Sequence, residues 1–166
     1  MRMDGEEDVP RVPAMRVSDE EAVPRVPRQG RADWLSGARI VGVYGVRYRP
    51  EGHMGEPEAV EFLLADGQSV LLTCAFDRTL RIGPGAWPRL PEWCVPSGQW
   101  EFSAVPNLPQ TPEGGWTVTR TEERRDERGE VREAVIRCED GRFVVIGGET
   151  LSIRFTRGHR GAPATT

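Results

Sequence analysis

Twice along this 166-residue chain an Asp-Gly dipeptide stands between two runs of strand-forming residues, and that repetition restricts the fold more than any other feature. The first run is Val60-Glu-Phe-Leu-Leu-Ala-Asp-Gly-Gln-Ser-Val-Leu-Leu72, and the second is Glu133-Ala-Val-Ile-Arg-Cys-Glu-Asp-Gly-Arg-Phe-Val-Val-Ile146. A two-residue type I′ turn needs positive φ at both central positions, which Asp-Gly supplies at low steric cost. Centred on Asp66 and Gly67, such a turn sets Leu64 opposite Ser69, Leu63 opposite Val70 and Phe62 opposite Leu71. Leu63 and Val70 then share one face, and Phe62, Leu64 and Leu71 the other. Both faces carry apolar groups, as in a hairpin covered on both sides. Centred on Asp140 and Gly141, the turn sets Glu139 opposite Arg142, an opposite-charge pair.

The likeness extends beyond the hairpins. Glu58-Ala-Val precedes the first as Glu133-Ala-Val opens the second, and Thr79-Leu-Arg-Ile82 downstream matches Thr150-Leu-Ser-Ile153. Upstream of each lies a β-rich run, Ile40 to Tyr48 and Trp116 to Thr121. These elements make two copies of a four-strand unit, residues 39–82 and 116–155. Neither copy can bury its apolar faces alone, so the two must pack together. The predicted fold is all-β: about eight short antiparallel strands in two pseudo-repeats, forming a sandwich or small barrel within a single domain over residues 31–156. With 19 glycines and 14 prolines, the chain has too many breakers for long helices.

Between the copies, residues 83–115 hold Trp87, Trp93 and Trp100 among seven prolines. This stretch is too apolar for a disordered linker and too rich in proline for a regular element. It reads as an ordered strap across one face, with a strand around Trp100-Glu-Phe-Ser103. Residues 122–133 are densely charged and read as a solvated hairpin projecting from the body. Residues 1–30 write Val-Pro-Arg-Val-Pro twice, at Val9 to Pro13 and Val23 to Pro27. Apolar residues isolated between prolines cannot offset the entropy of ordering, which predicts a disordered arm and leaves room for a linear docking motif in polyproline form. Asp33 is placed to cap a short turn holding Trp34 and Leu35 against the body, and residues 157–166 read as a flexible tail.

The formal net charge of −4, with no strongly basic segment, argues against nucleic-acid binding. The first residues lack the apolar run of a signal peptide, and nothing approaches a membrane span, so a cytoplasmic, soluble chain is expected. Cys74, Cys94 and Cys138 are odd in number and widely spaced, which fits reduced thiols. His53, near Glu51, Glu56 and Glu58, lies in a glycine-rich loop without recognised ligand spacing, so no metal or cofactor is implied. His159 falls in the tail. Neither histidine makes a credible base for a serine or cysteine nucleophile, and the strand carboxylates Glu61 and Glu101 have no partner at meaningful spacing.

Five tryptophans is many for this length, and Trp and Arg dominate binding hot spots. Trp87, Arg89, Trp93 and Trp100 are therefore the candidate binding residues. The order Leu35-x-Gly-x-x-Ile40, an Asp-Gly hairpin and the terminal Glu149-Thr-Leu-x-Ile153 resembles small β-rich proteins of unknown role in high-GC bacteria, and some proteins of similar size and style are immunity proteins that neutralise a cognate toxin. The likeness covers residues 35–155, its motifs are mostly turns, and no functional residue is carried over from it. It implies a soluble bacterial binding protein. The expected function is a non-enzymatic protein-binding module of immunity or regulatory type. A small-molecule barrel with a tryptophan-lined mouth is the alternative, followed by an enzyme of unspecified class. The sequence leaves the oligomeric state open.

Overall fold

The computed structural model describes residues 35–53 and 55–158. The arm, Asp33, Trp34, His159 and most of the tail lie outside the described residues. Among the described residues nine antiparallel strands form one open sheet: β1 (Arg39–Tyr48), β2 (Ala59–Leu64), β3 (Ser69–Cys74), β4 (Leu80–Pro84), β5 (Trp100–Ala104), β6 (Trp116–Arg125), β7 (Val131–Cys138), β8 (Gly141–Ile146) and β9 (Ser152–Arg157). The order β4-β3-β2-β1-β6-β7-β8-β9 reads the same from either end, one four-strand meander per repeat. The meanders meet where the starts of β1 and β6 pair, Arg39 opposite Thr117 and Ile40 opposite Trp116. Thr79-Leu-Arg-Ile82 leads into β4 and Thr150-Leu-Ser-Ile153 into β9, the two outer edges. The ninth strand is the strap's own: β5 pairs with the far end of β1, Tyr48 opposite Trp100.

Both Asp-Gly sites are tight reversals, but each register differs by one residue from the two-residue turn expected there. At the first, Leu64 N–H donates to the Gln68 carbonyl (2.9 Å), which makes Ala65, Asp66 and Gly67 a three-residue loop. Gly67 takes φ +86°, and Asp66 Oδ1 accepts the Gln68 N–H (3.0 Å). This is a turn closed by a glycine bulge. Phe62 therefore faces Val70, not Leu71, and Val60, Phe62, Leu64, Val70 and Leu72 share one face. At the second site the turn residues are Glu139 and Asp140, Arg137 faces Arg142, and the expected Glu139–Arg142 pair does not form. Gly141 lies within β8 and is needed for close approach. A Cβ there would collide with the Thr156 carbonyl and the Phe155 ring of β9.

The sheet stays open, with β4 and β9 as edges, and folds so that the two meanders share one core. Phe62 meets Phe143 edge-on at 5.5 Å between ring centroids. Phe143 in turn meets Trp116 at 5.1 Å and Phe155 at 4.8 Å. Leu35, Ile40, Val118, Ile136 and Leu151 complete this cluster. Trp116 is thus a core residue. The charged hairpin is anchored as well as solvated, since Val131 is buried in the core and Arg132 donates to the Asp77 carbonyl on the β3–β4 turn.

Phe62→Ala removes the ring that meets Phe143 across the two repeats, and is expected to cost about 3–5 kcal/mol. Guanidinium unfolding measures this as a lower midpoint at unchanged slope. A loss under about 1 kcal/mol, in the range of ordinary surface changes, contradicts a shared core.

Candidate functional site

β1, β2 and β3 have a second face, and it too is apolar: Tyr44, Val46, Ala59 and Leu71 turn away from the shared core. The strap covers it, as the sequence suggested. Cys94 is buried against Val46 and Ala59, with Leu71, Leu90, Trp100 and Phe102 packed around them. Trp87 stacks on Tyr44 at 4.7 Å and 19°, and Phe102 of β5 meets Trp87 edge-on at 4.7 Å.

Glu61 stands in the middle of this face, with no exposed surface. Its Oε1 accepts the Ser69 hydroxyl at 2.6 Å and the backbone N–H of Trp87 at 2.8 Å. Its Oε2 is buried without a hydrogen-bond partner among the described residues. Gly85 lets the strap come this close, because a Cβ there would overlap both Glu61 Oε1 and Ser69 Oγ. The carboxylate is a clasp between sheet and strap. Leaving Trp87 N–H and the Ser69 hydroxyl buried and unpaired would cost about 1–3 kcal/mol each.

The four candidate residues divide around this clasp. Trp87 is fastened on the inside. Arg89 has an exposed side chain on a turn closed by its own N–H to Ala86. Trp93 and Trp100 belong to an outer ladder: Trp93 meets Trp100 edge-on at 5.2 Å, and Trp100 packs on Tyr48 at 5.0 Å. The Tyr48 hydroxyl is fixed by donating to Gln99 Oε1 (2.8 Å). Trp93 is 44% exposed and its neighbour Val95 73%. Trp93 also forms one wall of a groove of about 590 Å³ that runs along the edge strand β4, past Arg81, Gly83 and Pro84, to Arg125 and Val131. The sequence did not single out Glu61 as the clasp, Tyr48 as part of the ladder, or Phe76, which is fully exposed on the β3–β4 turn.

Other sequence candidates are not drawn together. His53, Glu51, Glu56 and Glu58 are exposed, and among the described residues no three His, Cys, Asp or Glu side chains are grouped as metal ligands. Glu101 is bonded to Arg49 at 3.1 Å. Burial pushes the Cys94 thiol up to about 11. Burial, with Asp140 nearby, pushes Cys138 up to about 12, so both stay neutral and unreactive near neutral pH. Cys74 is half-buried, its thiol against the Gly148 carbonyl at 3.2 Å.

On the charged hairpin the charges largely satisfy one another. Glu122 accepts from Arg137 at 3.0 Å and also pairs with Arg120 at 3.4 Å, while Asp126 holds Arg132 at 2.7 Å. The Arg137 bond keeps the Glu122 carboxyl below its ordinary value. The Glu130 N–H and then Arg132 do the same for Asp126, as the Thr79 hydroxyl and amide do for Asp77.

No family model, curated protein or solved structure matches the chain. No helix among the described residues is long and apolar enough to cross a membrane.

A carboxylate whose pKa is lower folded than unfolded adds stability above its unfolded pKa, and withdraws it as pH falls through the folded value. The denaturation midpoint is therefore expected to hold level from neutrality to about pH 5 and to fall below about pH 4. Asp126→Asn should shrink that fall. An equal acid loss in wild type and Asp126→Asn would rule out the Asp126 contribution.

Proposed function

We propose that the chain is a non-enzymatic protein-binding module of immunity or regulatory type, acting in a bacterial cytoplasm, with the Trp93 surface as its contact. The presentation of Trp93 carries the reading. A tryptophan left nearly half in water is a standing cost to the free protein, and here it is braced on both sides. Trp100 and Tyr48 hold its ring from the ladder, and Cys94, Leu90 and the Glu61 clasp fix the strap beneath it. Rigid aromatic anchors of this kind dominate protein-binding energy because little entropy is lost when they are covered.

The groove beside Trp93 supports the same reading. β4 is an edge strand, so half of its N–H and C=O groups point away from β3. Gly85 N–H bonds to the Ser69 carbonyl and Ala75 N–H to the Thr79 carbonyl. By antiparallel alternation Arg81 and Gly83 also face β3, which leaves Leu80, Ile82 and the Pro84 carbonyl turned outward. An extended partner segment can add to that edge while its side chains meet Trp93, the mode of strand addition. The shared core is filled by Phe62 and Phe143, and the strap tryptophans lie on an outer face, an arrangement that suits a partner's surface better than an enclosed ligand.

Affinity capture of the tagged full chain at native level is expected to recover a stoichiometric partner. Trp93→Ala should weaken that complex by about 2 kcal/mol, roughly 30-fold in Kd. A protein that remains partner-free under these conditions, or a partner whose affinity Trp93→Ala leaves unchanged, rejects the proposal.

A further inference from the structure

The side chains along β4 define what kind of segment its edge accepts. Arg81 and Gly83 turn to the outer face with their β3 partners Thr73 and Leu71, while Leu80 and Ile82 turn to the shared core. Gly83 leaves a notch on that outer face, since a Cβ there would meet no atom within 4 Å. Leu71, directly across from Gly83 on β3, and Trp93 line the same groove, so the notch has apolar neighbours.

Arg81 is two residues from the notch on the same face. It is exposed, and among the described residues it makes no ion pair or side-chain hydrogen bond. Arg125, the other cation of the groove, is held by Glu123 and by the Gly129 carbonyl, and Glu130 is the only acid among the lining residues. The open charge beside the notch is therefore positive and calls for an acid. The groove has Trp93 at one wall and Arg125 with Val131 at the other. A single extended chain can pass between them, whereas a second folded sheet, carrying its own covering layers, meets both.

Hydrogen bonding sets the direction of that chain. The groups facing outward are the N–H and C=O of Leu80 and Ile82 and the carbonyl of Pro84. An antiparallel segment meets all of them within the length of β4, because each outward residue forms its own pair. A parallel segment straddles the same groups over a longer run, in a slanted geometry slightly less stable per residue. In the antiparallel order the residue opposite Gly83 comes first and the one opposite Arg81 second, with one residue between. Both fall in pairs without direct hydrogen bonds, where side chains stand nearest.

We propose that the partner contributes one extended segment, antiparallel to β4, that carries a large apolar residue two positions before an acidic one. The apolar side chain fills the notch over Gly83 against Leu71 and Trp93, and the carboxylate meets Arg81. This rests on the reading of the Trp93 surface as a binding site and names the chemistry it selects.

The probe is a phage-displayed library of random linear peptides, selected on the tagged full chain. Enriched sequences are expected to hold Phe, Trp, Leu or Met two positions before Asp or Glu. On Arg81→Glu the acidic preference should turn to Lys or Arg at the same spacing, and a synthetic peptide of the wild-type consensus should bind about tenfold more weakly. Gly83→Val fills the notch and should abolish selection of the spaced pair without lowering the denaturation midpoint. No enrichment over a blank surface, peptides without the spaced pair, or a pair whose selection ignores both substitutions overturns the proposal. So does a wild-type chain that sediments as a dimer while both variants sediment as monomers, which would give the edge to a second copy. If a captured partner is released by Trp93→Ala yet unaffected by Arg81→Glu and Gly83→Val, the segment fails and the binding-module reading survives.

Discussion

The carboxylate of Glu61 decides how the outer half of this protein is arranged. The sheet formed by β1, β2 and β3 has two apolar faces, and only one can be turned towards the other repeat. The second must be covered by a segment with little regular hydrogen bonding of its own. A single buried oxygen, shared between the Ser69 hydroxyl and the Trp87 amide, ties that segment down. Because its second oxygen is unpaired among the described residues, the clasp is a poor source of raw stability. What it supplies is placement: satisfying Oε1 requires Gly85 and Trp87 at one position over β2, and Cys94 and Trp93 follow between that point and Trp100, which β5 holds by pairing with β1.

The two repeats share a topology and differ in what covers their outer faces. In the first repeat the outward positions of β1, β2 and β3 are Tyr44, Val46, Ala59 and Leu71, which need the strap. In the second, Val135 and Val144 face outward in the company of Glu122, Arg137 and Arg154 by register. Both valines are nevertheless buried, because long charged side chains can cover apolar surface with their stems while their heads stay wet. One face is sealed by tryptophan and proline, the other by arginine and glutamate. The duplicated sheet thereby acquires one distinctive side, and the aromatic ladder is on it.

Much of this was legible in the sequence, because turn chemistry and strand pattern are local. The all-β class, the duplication, the strap and its strand at Trp100 all follow from residues close together in the chain. The registers were not legible. Asp-Gly marks a reversal, but the number of loop residues answers to what lies on either side. Seating Phe62 and Val70 together in the shared core makes the first loop three residues long, and the approach of β9 to Gly141 places the second turn one residue earlier. The split among the tryptophans depended on contacts far apart in sequence, Trp87 with Tyr44 and Trp100 with Tyr48. Glu61 did leave a signal, the one charge in Ala59-Val-Glu-Phe-Leu-Leu64. Taken alone, that pattern also fits a solvent-facing position, and only the strap distinguishes the two.

Two cysteines report directly on whether Glu61 holds the strap in place. Cys94 lies beneath the strap and Cys138 in the shared core, both buried and both with thiols raised well above neutrality. Alkylation of the full chain near neutral pH, resolved by peptide mass, should leave both protected in the wild type. In Glu61→Ala, with circular dichroism verifying the sheet, Cys94 should become reactive while Cys138 stays protected. A folded Glu61→Ala protein in which Cys94 remains as protected as Cys138 would contradict the account.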